Sequence, residues 1–322
     1  DRSPSRGLGD VYKRQELSLN QKVAVETAWN SSFNNYLAPD FSKIPVAFNI
    51  CKKFYDEFPF EVKLEKREAV SFLFNEGSGC LAYDVGVGKT ISAIMAIEQF
   101  LVSGYSKRPF VVVPNQTYKQ WLSEIKNALP HREVNAFFNL GVDYLDKILD
   151  GEGKVKMVKE GTITVLTYEG FEKIGFNEQT QGELMDELYE ILNQGGASEK
   201  SDKKIASFRE KLEILIGKGL KGTNIQIEDI GFDFVCFDEA HALKKVFTSV
   251  KGEQEKEGKK SKNPYKIQSG VPSNTALKGF MIGNYIFRTN NYRNVILLTA
   301  TPFTNSPLEA VSYTHLTLLT QR

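Results

Sequence analysis

From Gly79 onward, the chain alternates short, continuous apolar runs with longer stretches of helical periodicity. The runs are rich in Val, Ile or Phe, as strands are when both faces of their sheet are buried. They are Cys80–Tyr83, Phe110–Val113, Val134–Phe138, Thr162–Thr167, Phe234–Phe237 and Val295–Leu298. Strands that alternate with helices form parallel sheets, so the pattern predicts an α/β fold with a mainly parallel sheet flanked by helices.

Helical spacing of apolar residues predicts helices over 64–75 and 89–102, and Gly104 stands where the second needs a C-terminal cap. A further helix is predicted over 19–36, within an arm rich in aromatic residues that covers 16–60. The nucleotide-binding domain proposed below is expected to cover 61–310.

Two stretches interrupt this alternation. Residues 177–223 carry Glu, Lys, Leu and Ile at helical spacing with a Gly/Ser break at 195–198, which indicates a helical hairpin inserted at the edge of the sheet. Residues 250–275 include KGEQEKEGKKSKNP, which lacks apolar residues and is typical of a mobile loop. Each stretch is either a solvated connector or a contact for nucleic acid or a partner.

Composition excludes several classes of protein. The 322 residues suffice for one large domain or two average ones, and 41 basic against 40 acidic residues exclude a polycation or an acidic tail protein. No apolar run approaches the roughly 18 residues of a membrane-spanning helix, and no secretory signal is visible. Three scattered cysteines and three histidines exclude a zinc ribbon, a disulfide framework and a His-rich metal site, and favour a reducing, cytoplasmic setting.

Both ends of the chain look foreign to it. Residues 1–15 (DRSPSRGLGDVYKRQ) and 311–322 (VSYTHLTLLTQR) resemble translated sequencing-adapter read-through. We therefore expect both segments to be artefact tails with few buried contacts, on an internal fragment of a longer protein. The alternative is a flexible tail at one end and a β-strand at the other.

The segment LAYDVGVGKT, residues 81–90, lies between a predicted strand and a predicted helix, which is the context of a phosphate-binding loop. Gly86 and Gly88 allow a tight turn, the helix N-terminus favours an anion, Lys89 can reach the β and γ phosphates, and Thr90 can ligate Mg²⁺. The strict motif has Gly where this chain has Tyr83, so an incidental strand-to-helix turn is the alternative. The predicted cofactor-binding residues of the loop are Asp84, Val85, Gly86, Val87, Gly88, Lys89 and Thr90.

A second motif, FVCFDEAH, places two carboxylates directly after the apolar run Phe234–Phe237. Ligands of open α/β sheets bind at the carboxyl ends of the strands, so this motif is expected beside the phosphate loop. Asp238 would hold Mg²⁺, directly or through water, and Glu239 would accept a proton from the attacking water. Together with Lys89, these two residues are the predicted catalytic group.

With both motifs placed, the chain resembles the first RecA-like domain of a superfamily-two helicase, of the Swi/Snf-type branch. Five segments match that family's motifs I, Ia, Ib, II and III in its order. They are LAYDVGVGKT (81–90), FVVVPNQTYKQWLSEI (110–125), TVLTYEGF (164–171), FDEAHALKK (237–245) and LLTATPFTNSPLEA (297–310).

The resemblance implies an ATP- and Mg²⁺-dependent motor that moves on DNA, with double-stranded DNA expected. It assigns DNA contacts to motifs Ia and Ib, and coupling between the γ-phosphate site and DNA to motifs II and III. The implied DNA contacts are Asn115, Gln116, Thr167 and Tyr168, and the implied coupling residues are His241, Thr299 and Thr301. For the two coupling threonines, the alternative is a capped strand end.

The chain departs from the family in two places. Lys66 stands where the family carries an adenine-reading Gln, so Lys66 is included among the nucleotide-binding residues while selection for adenine by this route is in doubt. Motifs IV to VI, which belong to a second RecA-like domain and supply an arginine to the transferring phosphate, are missing. We therefore expect the fragment alone to be nearly inactive.

A narrower likeness is to the helicase–methylase proteins of phages and conjugative elements, through FNNY at 33–36 and the insert before motif II. It implies a fused or associated DNA methylase and the cytoplasm of a bacterial or phage-infected cell. Two other functions are open: a nucleotide-binding interaction module without motor activity, and an unrelated phosphate-loop NTPase, against which the TATP string of motif III argues.

Overall fold

The structure is a computed structural model, and it divides the chain into two compact units, residues 1–41 and residues 42–322. The second unit contains every predicted motif and is the one described below. The structure describes residues 39–46, 49–51, 62–138, 148–193, 225–246, 249–252, 255–256, 259–260, 265–268, 273–302 and 312–313, together with residues 18, 20, 23 and 27.

Six parallel strands form the central sheet, so the predicted α/β class is confirmed. The strands of the chain are β1 (Gly79–Ala82), β2 (Pro109–Val113), β3 (Val134–Phe137), β4 (Ile163–Thr167), β5 (Phe234–Phe237), β6 (Ser249–Gly252), β7 (Glu255–Lys256), β8 (Lys259–Lys260), β9 (Tyr265–Gln268) and β10 (Val295–Thr299). The sheet order is β1-β10-β5-β2-β4-β3, and every neighbouring pair is parallel. Each predicted strand of this sheet ends within one residue of its observed bounds.

Helices cover both faces of the sheet. They are α1 (Leu64–Glu76), α2 (Lys89–Val102), α3 (Tyr118–Ala128), α4 (Tyr168–Phe171), α5 (Glu178–Asn193), α6 (Ile227–Ile230) and α7 (Asn274–Thr289), with 3₁₀ turns at Phe41–Lys43 and Ala240–Leu243. The predicted helices over 64–75 and 89–102 are confirmed, and Gly104 follows α2 with a φ of +73°. The predicted helix over 19–36 lies almost wholly outside the described residues. Of the predicted hairpin, α5 matches the first arm, and residues 194–224 lie outside the described residues.

Strand β2 shows why the apolar runs are continuous. Its five residues are all buried, and successive side chains enter opposite cores. Phe110 and Val112 belong to the core that contains residues of α5 and α7, whereas Val111 and Val113 belong to the core under α1, α2 and α3. A strand with a core on each side carries mainly apolar residues on both faces, which makes the run visible in the sequence.

A buried carboxylate anchors α2, the helix that follows the phosphate loop. Glu98 is 1 % exposed, and its oxygens accept hydrogen bonds from Arg132 Nε at 2.8 Å, Arg132 Nη2 at 3.0 Å and Asn49 Nδ2 at 2.7 Å. His131 Nε2 lies 3.1 Å from Glu98 Oε1. Because a buried charge is costly unless it is paired and hydrogen-bonded, this cluster fixes α2 against the chain around it. Through Asn49, part of the predicted arm belongs to the same compact unit as the sheet.

Two findings differ from the sequence prediction. In the stretch predicted as a mobile loop, β6 pairs with β9 in antiparallel fashion and β7 pairs with β8. Hydropathy cannot show such strands, because backbone groups make the bonds of the ladder. In the predicted C-terminal tail, Ser312 and Tyr313 are buried, and Ser312 Oγ donates to Lys244 O at 3.0 Å. These contacts do not fit the expectation of few buried contacts; residues 1–15 lie outside the described residues.

In the part of the chain that the structure describes, no helix is long and apolar enough to cross a membrane.

Two glycines inside helices provide a matched test of the packing behind motif II. A Cβ on Gly279 of α7 would lie 2.5 Å from Cδ2 of Leu243, which is fully buried in the 3₁₀ turn after Asp238, whereas a Cβ on Gly182 of α5 would meet nothing within 4 Å. We expect Gly279→Ala to lower the free energy of unfolding by about 1–2 kcal/mol, because overpacking outweighs the gain in helix propensity. Gly182→Ala should raise it by about 0.5–1 kcal/mol. Urea denaturation of both variants measures the difference, and a stabilised Gly279→Ala variant would contradict the close packing.

Candidate nucleotide site and adjoining cleft

The five motifs lie at one edge of the sheet, the edge formed by the carboxyl ends of the strands. Because the six strands of the sheet are parallel, their carboxyl ends lie together, and each motif runs from a strand into the segment that follows it. The register pairs Ala82 with Thr299, Leu297 with Phe237, Phe237 with Val112, and Val113 with Thr167. The motifs therefore follow one another along the edge in the order I, III, II, Ia, Ib. Four strand spacings of about 4.8 Å separate the phosphate loop from motif Ib, or about 19 Å.

The phosphate loop has the backbone that its glycines predict. Gly86 has a φ of +86° and Gly88 a φ of +95°, conformations that side chains disfavour, and Gly88 is the N-cap of α2. Lys89 Nζ donates to the carbonyl oxygens of Tyr83 at 2.8 Å and Asp84 at 3.1 Å. The Lys89 ammonium therefore lies against the loop backbone. It is close to the N-terminus of α2, where free backbone N–H groups favour an anion.

The side chain of Lys66, a residue of α1, reaches the same loop. A Cβ on Gly88 would be 2.7 Å from Lys66 Cε and 3.4 Å from Lys66 Nζ, so the lysine side chain from α1 crosses directly over the N-terminus of α2. Burial and the neighbouring Lys63 lower the pKa of Lys66, while Glu65 opposes this. The structure thus brings a second ammonium, besides that of Lys89, to the phosphate loop.

Asp238 is a nearly buried carboxylate, 5 % exposed, at the end of β5. Its backbone N–H donates to Val112 O at 2.8 Å, and its carbonyl oxygen accepts from Tyr168 Oη at 2.8 Å. Its side-chain Oδ2 accepts from Trp121 Nε1 at 2.8 Å and from Thr117 Oγ1 at 3.3 Å. Motif II is therefore bonded through both backbone and side chain to the strand β2, to motif Ia and to motif Ib.

Burial has the largest effect on the pKa values of Asp238 and Tyr168. It raises the pKa of the Asp238 carboxyl, the Trp121 hydrogen bond opposes the rise, and the charge of Glu239 adds to it. Burial also raises the pKa of Tyr168 well above its ordinary value, and the nearby charge of Asp238 contributes. A carboxylate that is desolvated in this way gains from a cation beside it.

Glu239 adopts an unusual backbone conformation for a residue with a side chain. Its φ of +51° and ψ of +50° lie in the left-handed region, immediately before the 3₁₀ turn. This backbone strain costs about 1–3 kcal/mol and tends to persist at functional sites. The Glu239 side chain is partly exposed, and its Oε2 lies 3.0 Å from His241 Nδ1. The turn thus presents the carboxylate at the surface, with the His241 imidazole within hydrogen-bond distance of it.

Motif III lies between the phosphate loop and motif II. Thr299 is fully buried at the end of β10, and its Oγ1 accepts from the backbone N–H of Thr301, which is exposed, at 3.1 Å. The capped strand end that was the alternative for these threonines is therefore present. Since β10 is flanked by β1 and β5, both threonines lie on the nucleotide side of motif II. Thr90 lies in the first turn of α2 and is partly exposed.

An open cleft of about 720 Å³ adjoins motif II on its other side. It is lined by residues of motifs Ia, Ib and II, among them Gln116, Thr117, Tyr168, Glu239, His241 and Lys245. Lys244 also lines it, and α7 contributes its first residues. The predicted base Glu239, the predicted coupling residue His241 and two predicted DNA contacts thus face one space.

The four predicted DNA contacts have different surroundings. Gln116 is exposed in the cleft, and Asn115 is exposed with its Nδ2 donating to Glu169 Oε1 at 3.2 Å. Thr167 is fully buried, its hydroxyl donates to Phe138 O, and it accepts from Gly170 N–H as the N-cap of α4. This placement does not fit a direct side-chain contact with DNA, because the hydroxyl is already used inside the protein. Tyr168 lines the cleft while its hydroxyl holds motif II.

The site also contains residues that sequence reasoning missed. Trp121 and Thr117, which bond to the Asp238 carboxylate, were seen only as part of a motif, and the cleft lysines Lys244 and Lys245 were given no role. Thr117 and Trp121 are four residues apart, which puts both side chains on one face of a helix. This spacing is the signal in the sequence that could have identified them as a pair.

The residues present fit ATP and Mg²⁺. The loop offers positive-φ glycines, a helix N-terminus and two ammonium groups, and Thr90 with Asp238 offers the hard oxygen ligands that Mg²⁺ prefers. Among the described residues, no group of three or more His, Cys, Asp or Glu side chains could hold a metal by itself.

Three known proteins illustrate what this chain is similar to. The chain is 26 % identical to the Defense against restriction protein B of Escherichia phage P1, over 94 % of this chain and 15 % of the relative. It is 23 % identical to the DNA excision repair protein ERCC-6-like of Danio rerio, over 56 % of this chain and 13 % of the relative. The SWI2/SNF2 ATPase core of Sulfolobus solfataricus, solved in complex with dsDNA, aligns with a TM-score of 0.41 and 14 % identity, over 85 % of this chain and 37 % of that one.

The chain spans less than two fifths of each of these proteins. The SNF2-related domain family matches residues 21–263, which is more than half of the chain. The phosphate loop and the DEAH carboxylates, both at the carboxyl edge of the sheet, lie within that match. The protein belongs to the SNF2-related domain family.

Proposed function

We propose that this chain is the ATP-binding half of a DNA-dependent ATPase that couples ATP hydrolysis to movement on double-stranded DNA. One observation carries the proposal: the phosphate loop, the DEAH carboxylates and the cleft of motifs Ia and Ib lie in that order along one sheet edge. A nucleotide at β1 and a polymer at β2 and β4 would then contact motif II from opposite sides.

The residues divide the chemistry among them. The N–H groups of the loop and the ammonium of Lys89 bind the phosphates, and Lys66 adds a second positive charge at the loop. Thr90 and Asp238 would hold Mg²⁺, which supplies charge neutralisation at the β and γ phosphates. Glu239 would accept the proton of the attacking water at its carboxylate, and His241 keeps that carboxylate in place.

On the other side of motif II, the cleft offers groups that suit a phosphate backbone. Gln116 can donate hydrogen bonds, and Lys244 and Lys245 bring positive charge to the cleft. The likeness of this chain to the Swi/Snf branch favours DNA over RNA as the polymer. The name of one relative, the DNA excision repair protein ERCC-6-like, supports the same choice. The proposal includes a DNA methylase, either fused to this protein or bound to it, because the chain resembles the helicase–methylase proteins of phages and conjugative elements.

Charge reversal in the cleft tests the DNA part of the proposal. We expect the double variant Lys244→Glu/Lys245→Glu to weaken binding of duplex DNA and to lower the slope of log K against log salt by about two, because each lysine neutralises about one phosphate. Fluorescence anisotropy with a labelled duplex at several salt concentrations measures both quantities. Labelled single-stranded DNA and duplex RNA of the same length test the choice of polymer.

The matched control is Lys154→Glu/Lys159→Glu. Both lysines are highly exposed, and neither lines the cleft. This control should keep the duplex affinity and salt slope of the parent. Equal losses in the two double variants would mean that the cleft has no special part in DNA binding.

A further inference from the structure

The Asp238 carboxylate is bonded to the first turn of α3, a contact with no part in the chemistry described above. Trp121 Nε1 lies 2.8 Å and Thr117 Oγ1 3.3 Å from the same oxygen, Asp238 Oδ2. Trp121 is 1 % exposed, so this bond is shielded from water. Hydrogen bonds of this kind retain their strength because the local dielectric is low.

Local structure explains why both donors reach one oxygen. Thr117 is the N-cap of α3, and the backbone N–H of Trp121 donates to Thr117 O at 2.9 Å. The two side chains are therefore one helical turn apart on the same face. That face meets the end of β5, because β2, which leads into α3, pairs directly with β5.

Two donors on one carboxylate oxygen restrict the rotation of the carboxyl group. A metal-binding carboxylate needs this kind of support, since residues that hold a ligand in place commonly contribute 10- to 100-fold to metal affinity. Packing alone does not require the indole N–H of Trp121, because an aromatic ring without that group would fill the same core. The indole N–H thus has a specific partner where apolar packing alone would need none.

We propose that Trp121 and Thr117 are positioning residues that orient the Asp238 carboxylate for the Mg²⁺ of bound ATP. This inference rests on the proposed nucleotide site and adds to it the residues that set its metal affinity. It also makes Trp121 an internal reporter, because a cation at Asp238 withdraws electron density from the oxygen that accepts the indole N–H.

The first experiment is a Mg²⁺ titration of nucleotide binding. The 322-residue chain is mixed with a non-hydrolysable ATP analogue, adenosine 5′-(β,γ-imido)triphosphate, and binding is followed at increasing Mg²⁺. We expect Trp121→Phe and Thr117→Val to raise the Mg²⁺ concentration at the midpoint about 10-fold, with unchanged affinity for the analogue in EDTA. Thr117→Ser keeps the hydroxyl and should restore the midpoint of the parent.

The control for loss of packing is Ile125→Val, which alters a buried residue of the same helix whose side chain cannot bond to Asp238. It should keep the parent midpoint even if it lowers stability. If Trp121→Phe fails to fold, the Thr117→Val and Thr117→Ser pair decides the question alone. Unchanged midpoints in every variant that folds would overturn the proposal.

The second experiment uses fluorescence. The chain has two tryptophans, so Trp29→Phe leaves Trp121 as the single emitter. We expect the Trp121 emission maximum to shift when Mg²⁺ and the analogue are added together, and to stay in place with the analogue in EDTA. Adding Asp238→Asn should abolish the shift. Identical spectra with Mg²⁺ and with EDTA, at saturating analogue, would overturn the proposal.

Failure of this inference can be distinguished from failure of the nucleotide site itself. If the parent and a Lys89→Ala variant bind the analogue equally, the nucleotide site is wrong. If the parent binds it in a Mg²⁺-dependent way that Lys89→Ala removes, and Trp121→Phe and Thr117→Val leave the Mg²⁺ midpoint unchanged, only the positioning role is wrong.

Discussion

Replacing Glu239 by Gln is expected to lower the rate of ATP hydrolysis about 100- to 10,000-fold while nucleotide binding is kept. A general base contributes this much, and an amide of the same shape cannot accept the proton of the attacking water. The side chain is partly exposed on a turn, and its contact in the structure is with His241, so the substitution removes little that holds the fold. Single-turnover phosphate release with enzyme in excess over ATP, in the presence of duplex DNA, measures the loss even when the parent rate is low.

The control is Glu133→Gln, which removes an exposed carboxylate that pairs with Lys159 at 2.9 Å, away from the site. It should hydrolyse ATP at the parent rate. Binding of the non-hydrolysable analogue should be the same in both variants. A Glu239→Gln variant with the parent rate of phosphate release would show that another group takes the proton.

The fold was predictable from the sequence because its information lies in burial. Four of the six strands of the sheet, β2, β4, β5 and β10, are buried on both faces, which makes them visible as continuous apolar runs. The pattern of apolar residues did not predict the elements that contain few buried apolar residues or that lie in a segment interpreted as foreign. The ribbon of β6 and β9 consists mainly of polar residues, and Tyr313 joins the core from a segment that looked foreign by its sequence alone.

The sequence predicted where the motif residues lie in the fold, and it predicted their contacts less well. Motif spacing placed Lys89, Asp238 and Glu239 at the same edge, because in a parallel sheet the carboxyl ends of all strands lie there. Motif membership did not distinguish Thr167, which is buried as a helix cap, from Gln116, which faces the cleft. Whether a polar side chain in a motif points to a ligand or back into the protein depends on tertiary contacts, which the spacing does not contain.

The strand order places motif III nearer to the phosphate loop than to the cleft, and the predicted coupling role of Thr299 and Thr301 stays a prediction. Motif III was expected to connect the γ-phosphate site with DNA, yet β10 lies between β1 and β5, away from the cleft. The bonds that cross from motif II to the cleft are made by Tyr168, Thr117 and Trp121.

Replacing Lys89 by Ala is expected to weaken ATP binding about 100-fold or more and to leave the fold intact. Lys89 belongs to the proposed phosphate loop, and each hydrogen bond between a charged group and a phosphate oxygen contributes about 1.5–3 kcal/mol. Its contacts in the structure are with the carbonyl oxygens of Tyr83 and Asp84 on the loop itself, so the core loses nothing. Isothermal titration calorimetry with the non-hydrolysable analogue and Mg²⁺ measures affinity, and thermal unfolding measures stability.

The control for Lys89 is Lys107→Ala, since Lys107 is an exposed lysine just before β2, at the opposite edge of the sheet. It should bind the analogue as the parent does. Lys89→Ala should also abolish the stabilisation against heat that Mg²⁺ and the analogue give to the parent, because a ligand stabilises only a protein that binds it. Parent-like affinity in Lys89→Ala would remove the phosphate loop from the nucleotide site. A large loss of melting temperature without ligand would instead assign Lys89 a role in the fold.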